Sequence, residues 1–102
     1  MKVPVQKNFA TPAYLHYVIR VPHVREELKD YLSEQGIEAK VHYPIPNHLQ
    51  RPIIEAVGKQ GPFPAAEQSC DEVLSLPSHP GMDDTQIRFV VDAMSQYFAR
   101  AN

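Results

Sequence analysis

Apolar and polar residues alternate along residues 14–21, which is the pattern of a β-strand with one buried face. The apolar face carries Leu15, Tyr17, Ile19 and Val21. The mixed face carries Tyr14, His16, Val18 and Arg20. Residues 1–12 show no periodicity and contain two prolines, so we expect a lead-in that is extended or flexible. Residues 13–102 are predicted to form one domain.

Helical spacing replaces the alternation after Pro22, a residue that suits the first turn of a helix. Val24, Leu28, Tyr31 and Leu32 form a stripe of core-facing spacing. Gly36 is the expected left-handed stop of this helix. Alternation returns from Ile37 to Tyr43 and predicts a second half-buried strand. The order strand, helix, strand suggests a βαβ-like unit, with a right-handed crossover if the strands are parallel in one sheet.

The second half of the chain predicts three more helices and a short strand. Residues 51–58 form a short helix that Gly58 ends, and Pro64 opens the next one. Residues 73–77 are read as a short third strand, although helix and strand compete there. Asp83 and Gln86 have the spacing of a capping box for the last helix. Its apolar stripe is read as core and consists of Ile87, Val90, Val91, Met94, Tyr97 and Phe98.

These elements predict a two-layer α/β (α+β) fold. We expect a small mixed or antiparallel sheet of about three strands, with helices packed on one face. The predicted core is drawn from every element. It consists of Leu15, Tyr17, Ile19, Leu28, Leu32, Val41, Val73, Ile87, Val90, Val91 and Met94.

Composition narrows the functional classes. The chain has 102 residues and a net charge of −2, and its Lys and Arg residues are scattered, which argues against a nucleic-acid surface. No apolar run approaches the length of a membrane span. Cys70 is the single cysteine, so an internal disulfide and a multi-cysteine zinc site are excluded. The expected setting is the reduced cytoplasm.

The stretch from His42 to Gln50, with the sequence HYPIPNHLQ, is the main candidate for chemistry. Pro44 and Pro46 restrict the residues before them to extended backbone, so this stretch can hold its side chains in fixed directions. A simpler reading is a strand end followed by a proline-rich turn with exposed histidines. His42, His48 and His79 lack the spacing of a metal site. The serines lie in no nucleophile setting, and Cys70 falls on an apolar helix face.

Several motifs follow one another in an order that resembles a known family. They are LHYVIRV, then REELKDYLSEQGIEAKVHYPIPNHLQ, then FPAAEQSCDEVLSLPSHPGMDDTQIRFVVDAM. The order resembles the C-terminal small domain of the DegT/DnrJ/EryC1/StrS sugar aminotransferases. That family uses pyridoxal phosphate and typically aminates nucleotide-linked keto-sugars. Two positions depart from the family pattern: the order Leu15-His16, and Asn47 before His48.

The resemblance implies a domain that covers an active-site mouth and helps to position a nucleotide-sugar. It implies substrate-binding roles for His42, Tyr43 and His48, with Tyr14 and His16 as secondary candidates. It also implies that the cofactor lysine belongs to a large domain outside this sequence, so that this chain alone binds no cofactor and is inactive. The alternative is a free-standing binding or oligomerisation module that re-uses the domain. The expected partners are therefore a nucleotide-sugar, the missing large domain or a second copy of the chain.

Overall fold

The computed structural model describes residues 1–100. The first half contains strand β1 (Tyr17–Arg20), helix α1 (Arg25–Glu34) and a 3₁₀ turn (Asn47–Leu49). The second half contains helices α2 (Arg51–Val57) and α3 (Pro64–Glu72), strand β2 (Val73–Leu76) and helix α4 (Asp84–Arg100). The predicted mixture of helices and a small antiparallel sheet is confirmed.

Strand β2 lies at the centre of the sheet. It pairs antiparallel with β1, so that Val18 lies opposite Ser75. On its other side, the Ser75 N–H and C=O bond the Lys40 backbone at 2.7 and 3.0 Å in an antiparallel bridge. Lys2 forms a similar bridge with Arg20 on the outer side of β1. Because both neighbours of β2 are antiparallel to it, β1 and the Lys40 segment run parallel with β2 inserted between them.

The predicted second strand, residues 37–43, contributes only the bridge at Lys40, so the sheet has two strands instead of about three. The sequence on both sides of Ser75 explains this difference. If the antiparallel pairing continued past Ser75 and Lys40, Pro77 would be the next residue to bond residue 38. Proline has no N–H to donate to the carbonyl of residue 38. Two residues in the other direction, the Val73 N–H already donates to the Ser69 carbonyl at the end of α3. Pairing therefore stops after one residue.

Two residues with left-handed backbone bracket β1. Tyr14 has a φ of 50°, and the strand begins at Tyr17, not at residue 14 as the alternation predicts. His23 has a φ of 71°, and α1 begins at Arg25, three residues later than Pro22 suggests. Positive φ is uncommon for residues other than glycine and interrupts both strand and helix. The two ends were therefore predicted too early.

The helix ends that depend on a local motif agree with prediction. Gly36 has a φ of 80°, and the N–H groups of Gly36 and Ile37 donate to the carbonyls of Ser33 and Leu32. These two bonds are the pattern of a Schellman motif. At the start of α4, the Gln86 N–H donates to Asp83 Oδ1 at 2.8 Å. The Asp83 N–H donates to Gln86 Oε1 at 3.0 Å, which completes the predicted capping box.

The core lies between the sheet and helices α1 and α4, which cover one face. Its buried members are Ile19, Val21, Leu28, Leu32, Ile37, Ala39, Leu74, Ala93, Met94 and Tyr97. Three predicted core residues are wrong. Leu15 precedes β1 and is 82% exposed, while Ile87 and Val91 lie on the flank of α4 and are 47% and 54% exposed. The apolar stripe of α4 is wider than the part of the helix surface that the other elements cover.

An ion pair joins the end of α3 to β1. Arg20 Nη2 lies 2.8 Å from Glu72 Oε2. The hydrogen bond from the Gln68 amide lowers the pKa of the Glu72 carboxyl, burial opposes this effect, and the Arg20 charge lowers the pKa further. Across residues 1–100, none of the helices combines the length and the apolarity that a bilayer crossing requires.

Candidate functional site

His42 is anchored to the central strand by its side chain. Its Nδ1 lies 2.9 Å from Ser75 Oγ, and Ser75 is buried. Ser75 points away from the core because its neighbours Leu74 and Leu76 point towards it. A hydrogen bond at one ring nitrogen fixes the orientation of an imidazole and leaves the other nitrogen for a further partner. His42 Nε2 has no such partner among residues 1–100.

His16 and Tyr43 pack against His42. The His16 and His42 rings stack with their centroids 4.3 Å apart and their planes 22° apart. The Tyr43 ring meets the His42 ring edge-on at 5.4 Å and is 67% exposed. The structure therefore brings together three of the five residues that the resemblance implies. We call these three residues, together with Ser75, the histidine cluster.

Tyr14 lies beside the histidine cluster in sequence but makes different contacts. Its ring packs on Tyr17 at 5.5 Å between centroids. Its backbone carbonyl accepts a 3.4 Å hydrogen bond from Ser78 Oγ. The contacts of Tyr14 thus tie the start of β1 to the end of β2.

His48 sits in a separate environment and is not part of the histidine cluster. Its side chain is only 10% exposed, and the Phe63 ring meets it edge-on at 4.7 Å. Its Nε2 lies 3.4 Å from Glu67 Oε2, within ion-pair range, yet this buried nitrogen has no hydrogen-bond partner in the described chain. Glu67 Oε2 already accepts the Phe63 N–H at 2.8 Å.

Sequence reasoning missed Ser75, Phe63 and Glu67. Ser75 carries a detectable signal, because the alternation Leu74-Ser75-Leu76 places it on the same face as Lys40 and His42 once the pairing is known. The contacts of His48 carry no such signal. They depend on how residues 58–63 fold back. Gly61 has a φ of 100° there, which favours glycine, and a Cβ atom would also lie 3.2 Å from His48 Cδ2.

The described residues offer no cluster for a metal, and the lysine nearest the histidine cluster does not suit the attachment of pyridoxal phosphate. Among residues 1–100, no group of three or more His, Cys, Asp or Glu side chains could hold a metal ion. Pyridoxal phosphate attaches to a lysine, and that lysine must be oriented and activated by its surroundings. Lys40 is the lysine closest in sequence to His42, but it is exposed and its Nζ lies 3.4 Å from Glu38 Oε1. A solvated, ion-paired lysine does not fit the cofactor.

The histidine cluster presents groups that can donate and accept hydrogen bonds and stack on a ring. It offers one free imidazole nitrogen on His42, a second imidazole stacked on it and an exposed phenol. No carboxylate contacts the His42 ring in the described chain, so no group is placed to tune it as a general base. Hydrogen bonding and stacking are what this geometry supports.

Comparison with known proteins agrees with the motif order. The family model of the DegT/DnrJ/EryC1/StrS aminotransferases matches residues 1–95. A dTDP-3-amino-3,6-dideoxy-alpha-D-galactopyranose transaminase from Aneurinibacillus thermoaerophilus is 42% identical over 79% of this chain. A dTDP-3-amino-3,4,6-trideoxy-alpha-D-glucose transaminase from Streptomyces venezuelae is 31% identical over 98% of this chain. The chain spans 22% and 26% of the lengths of these two relatives.

Solved structures give the same result. The Streptomyces venezuelae DesV structure with a ketimine intermediate superposes on 94% of this chain with a TM-score of 0.85 and 31% identity. An aminotransferase of the same family from Brucella abortus superposes with a TM-score of 0.83 and 27% identity. The chain covers 26% of each of those structures. With its sequence motifs, its fold and most of its length matched, the chain belongs to the DegT/DnrJ/EryC1/StrS aminotransferase family.

Proposed function

We propose that this chain is the C-terminal small domain of a pyridoxal-phosphate-dependent sugar aminotransferase that aminates nucleotide-linked keto-sugars in the cytoplasm. Residues 13–102 form the domain, and it lies over the active-site mouth. The cofactor and its lysine belong to the part of the enzyme outside these residues. Support comes from the relatives, whose names specify dTDP- and UDP-linked sugars, and from the quarter of their length that this chain spans.

The observation that carries the binding role is the fixed orientation of His42. Ser75 holds the ring through Nδ1, and His16 supports one of its faces. Both supports come from the sheet or its immediate end, so the free Nε2 is pre-organised. Pre-organised donors lose less conformational entropy when a ligand binds than flexible side chains do. A nucleotide-sugar offers many oxygen atoms as partners for such a group.

Tyr43 and His48 complete the proposed substrate contacts in different ways. Tyr43 is exposed beside His42 and presents both a ring face and a hydroxyl. His48 is mostly enclosed by Phe63 and Gly61, so its contribution includes holding the turn after Pro46 in place. Tyr14 and His16 are secondary contributors: Tyr14 packs on Tyr17, and His16 supports one face of the His42 ring.

Ligand binding is tested by NMR titration of the 102-residue chain with dTDP-glucose and UDP-glucose. We expect chemical-shift changes centred on His42 and Tyr43. His42→Ala removes one hydrogen bond, worth about 1 kcal/mol, and should weaken binding about fivefold. His79→Ala is the matched control, because His79 is an exposed histidine on the turn before α4. Absence of shifts at His42, Tyr43 and His48, or equal weakening by both variants, contradicts the proposal.

The proposal also predicts that the isolated chain forms no covalent cofactor complex. After incubation with pyridoxal phosphate and borohydride, mass spectrometry should show no stoichiometric adduct on one lysine. Exposed lysines such as Lys40 and Lys59 should label at similar low levels, because no site orients the cofactor. A single dominant adduct on Lys40 would show that the chain carries cofactor chemistry of its own.

A second candidate function is a free-standing binding or oligomerisation module. One observation favours it: Ile87 and Val91, which the sequence places in the core, are half exposed on α4. Nothing among residues 1–100 covers them. This surface is separate from the histidine cluster, so ligand binding and association can be measured independently.

A further inference from the structure

A buried nitrogen of His48 lacks a hydrogen-bond partner although a carboxylate lies close to it. His48 Nε2 is shielded from solvent, and no group among residues 1–100 bonds it. Buried polar atoms in native folds are almost always paired, so an exception calls for an explanation. The Glu67 side chain is the one acidic group within ion-pair range of His48 in the described chain, with its Oε2 3.4 Å from Nε2.

The start of helix α3 holds Glu67 beside His48. Glu67 Oε2 accepts the N–H of Phe63, the residue just before the helix, at 2.8 Å. A carboxylate oxygen has more than one lone pair, so Oε2 can accept a second hydrogen bond. The Phe63 ring meets the His48 ring edge-on at 4.7 Å and keeps the imidazole next to the carboxylate. Helix α3 thus presents one anionic group to the buried nitrogen of His48.

The other charged side chains on the segments around His48 are exposed. On α2, which packs against the 3₁₀ turn, Arg51 bonds Glu55 at 2.9 Å, and both side chains face solvent. Lys59 is exposed on the segment that folds back beside His48. Within residues 1–100, His48 therefore lies in ion-pair range of Glu67 and of no other side chain.

We propose that Glu67 is a positioning residue for the stretch from His42 to Gln50 and acts through a proton-dependent contact with His48. When both ring nitrogens carry a proton, Nε2 donates an N–H to Glu67 and the two side chains have opposite charges. The contact then ties the 3₁₀ turn to the start of α3. Its contribution to stability is present at the acid end of the range in which histidines titrate, about pH 5 to 8, and is lost as the pH rises.

The turn that this contact holds continues the proposed substrate-binding stretch. In its backbone, the Leu49 N–H donates to the Pro46 carbonyl at 2.9 Å and the Gln50 N–H to the Asn47 carbonyl at 3.1 Å. His42 lies at the other end of the stretch, and the two prolines between them stiffen the chain. The part that Glu67 plays in substrate binding rests on the proposed function, whereas its contact with His48 does not.

Urea unfolding at about pH 5.5 and about pH 8 tests the contact. Glu67→Gln removes the charge but keeps an oxygen that can accept the Phe63 N–H. The ratio of folding equilibrium constants, wild type over Glu67→Gln, should be about fivefold larger at the acid pH. His48→Gln should behave in the same way, and the double variant should lose no more than either single one. Glu55→Gln is the matched control, because Glu55 pairs with Arg51, and its ratio should be the same at both pH values. A ratio for Glu67→Gln that does not change with pH overturns the proposal.

Amide hydrogen exchange, measured by NMR on the 102-residue chain, tests the positioning role. Glu67→Gln should speed exchange of the Leu49 and Gln50 N–H groups about fivefold relative to wild type at about pH 5.5, and hardly at all at about pH 8. Equal exchange in the two proteins at the acid pH shows that the contact does not order the turn, and it overturns the proposal. Neither experiment uses a ligand, so a failure of nucleotide-sugars to bind contradicts the proposed function and leaves these results unaffected.

Discussion

At the scale of single residues, Ser75 uses its backbone and its side chain for different contacts. Its N–H and C=O bond Lys40, while its Oγ meets His42 Nδ1 at 2.9 Å. Alternation along β2 predicts which face Ser75 occupies, but not which residue lies opposite it. The residue that its Oγ contacts, His42, is 33 positions away in sequence, and strand pairing brings it there. This is why His42 was identified from its motif while its anchor was not.

Gly36 allows a direct test of backbone conformation. A Cβ atom added there meets nothing within 4 Å, so Gly36→Ala changes only the strain at a φ of +80°. The left-handed conformation costs a non-glycine residue about 1 kcal/mol, and we expect a loss of that size in the free energy of unfolding by urea. Gly81→Ala is the control, because Gly81 lacks a positive φ and only the His79 ring lies near its added Cβ. A loss at Gly36 no greater than that at Gly81 contradicts this account of the helix end.

The buried Tyr97 makes the stability of the folded chain depend on pH in the alkaline range. Burial raises its pKa above the ordinary value of 10.0, the charge of Glu27 and its hydrogen bond raise it further, and Arg100 opposes the shift. The folded state therefore holds the phenol proton more tightly than the unfolded state. This contribution is complete below pH 10 and is lost as pH rises through the folded pKa.

Urea unfolding at a series of pH values measures this effect. Above pH 10 the stability of the wild-type chain should fall more steeply than that of Tyr97→Phe, which keeps the ring but cannot ionise. Parallel curves for the two proteins would show that another group causes the alkaline loss. Tyr14→Phe serves as the control, because its ring is partly exposed.

At the scale of elements, local motifs predicted helix ends well and long-range effects decided the others. The start of α4 and the end of α1 depend on residues within a few positions of each other, and both agree with prediction. The starts of β1 and α1 follow residues with positive φ, Tyr14 and His23, and the residue types do not indicate this conformation. The strand expected at residues 37–43 fails for a similar reason. Its pairing is stopped by Pro77 and Val73, which lie in a distant part of the sequence.

The capping box of α4 should contribute measurably to stability. Asp83→Ala removes the acceptor of the Gln86 N–H and should lower the free energy of unfolding by about 1 kcal/mol. Asp30→Ala is the matched control, since Asp30 is exposed within α1 and alanine is the stronger helix former there. Its effect should be neutral or slightly stabilising. Equal losses for the two variants would mean that the cap bond adds nothing.

At the scale of the whole molecule, the two-layer class was predictable because apolar periods of two and 3.6 residues follow one another clearly. Strand order was not predictable, because periodicity does not specify neighbours. The same limit explains why some of the predicted core residues are exposed. Ile87 and Val91 have core spacing, yet nothing among residues 1–100 packs on that flank of α4. A pattern predicts that a face is apolar, and only the assembled fold shows whether it is covered.

Two leucines distinguish the structural core from the one predicted from the sequence. Leu74 is fully buried in the central strand, so Leu74→Ala should cost about 2–5 kcal/mol in urea unfolding. Leu15 was predicted to be buried with it but is exposed, so Leu15→Ala should change stability by less than about 0.5 kcal/mol. A large loss of unfolding free energy in Leu15→Ala would instead support the longer first strand that the alternation predicts.

The central position of β2 has a consequence for synthesis of the chain. Protein synthesis delivers β1, α1 and the Lys40 segment before residues 73–76 that hold them together. Until then, a nascent chain on the ribosome carries two strand edges with open hydrogen-bonding groups and an unfilled core. Such edges are sites of aggregation and chaperone recruitment. The chain thus assembles late, once β2 has been synthesised and can pair with the segments made earlier on both of its sides.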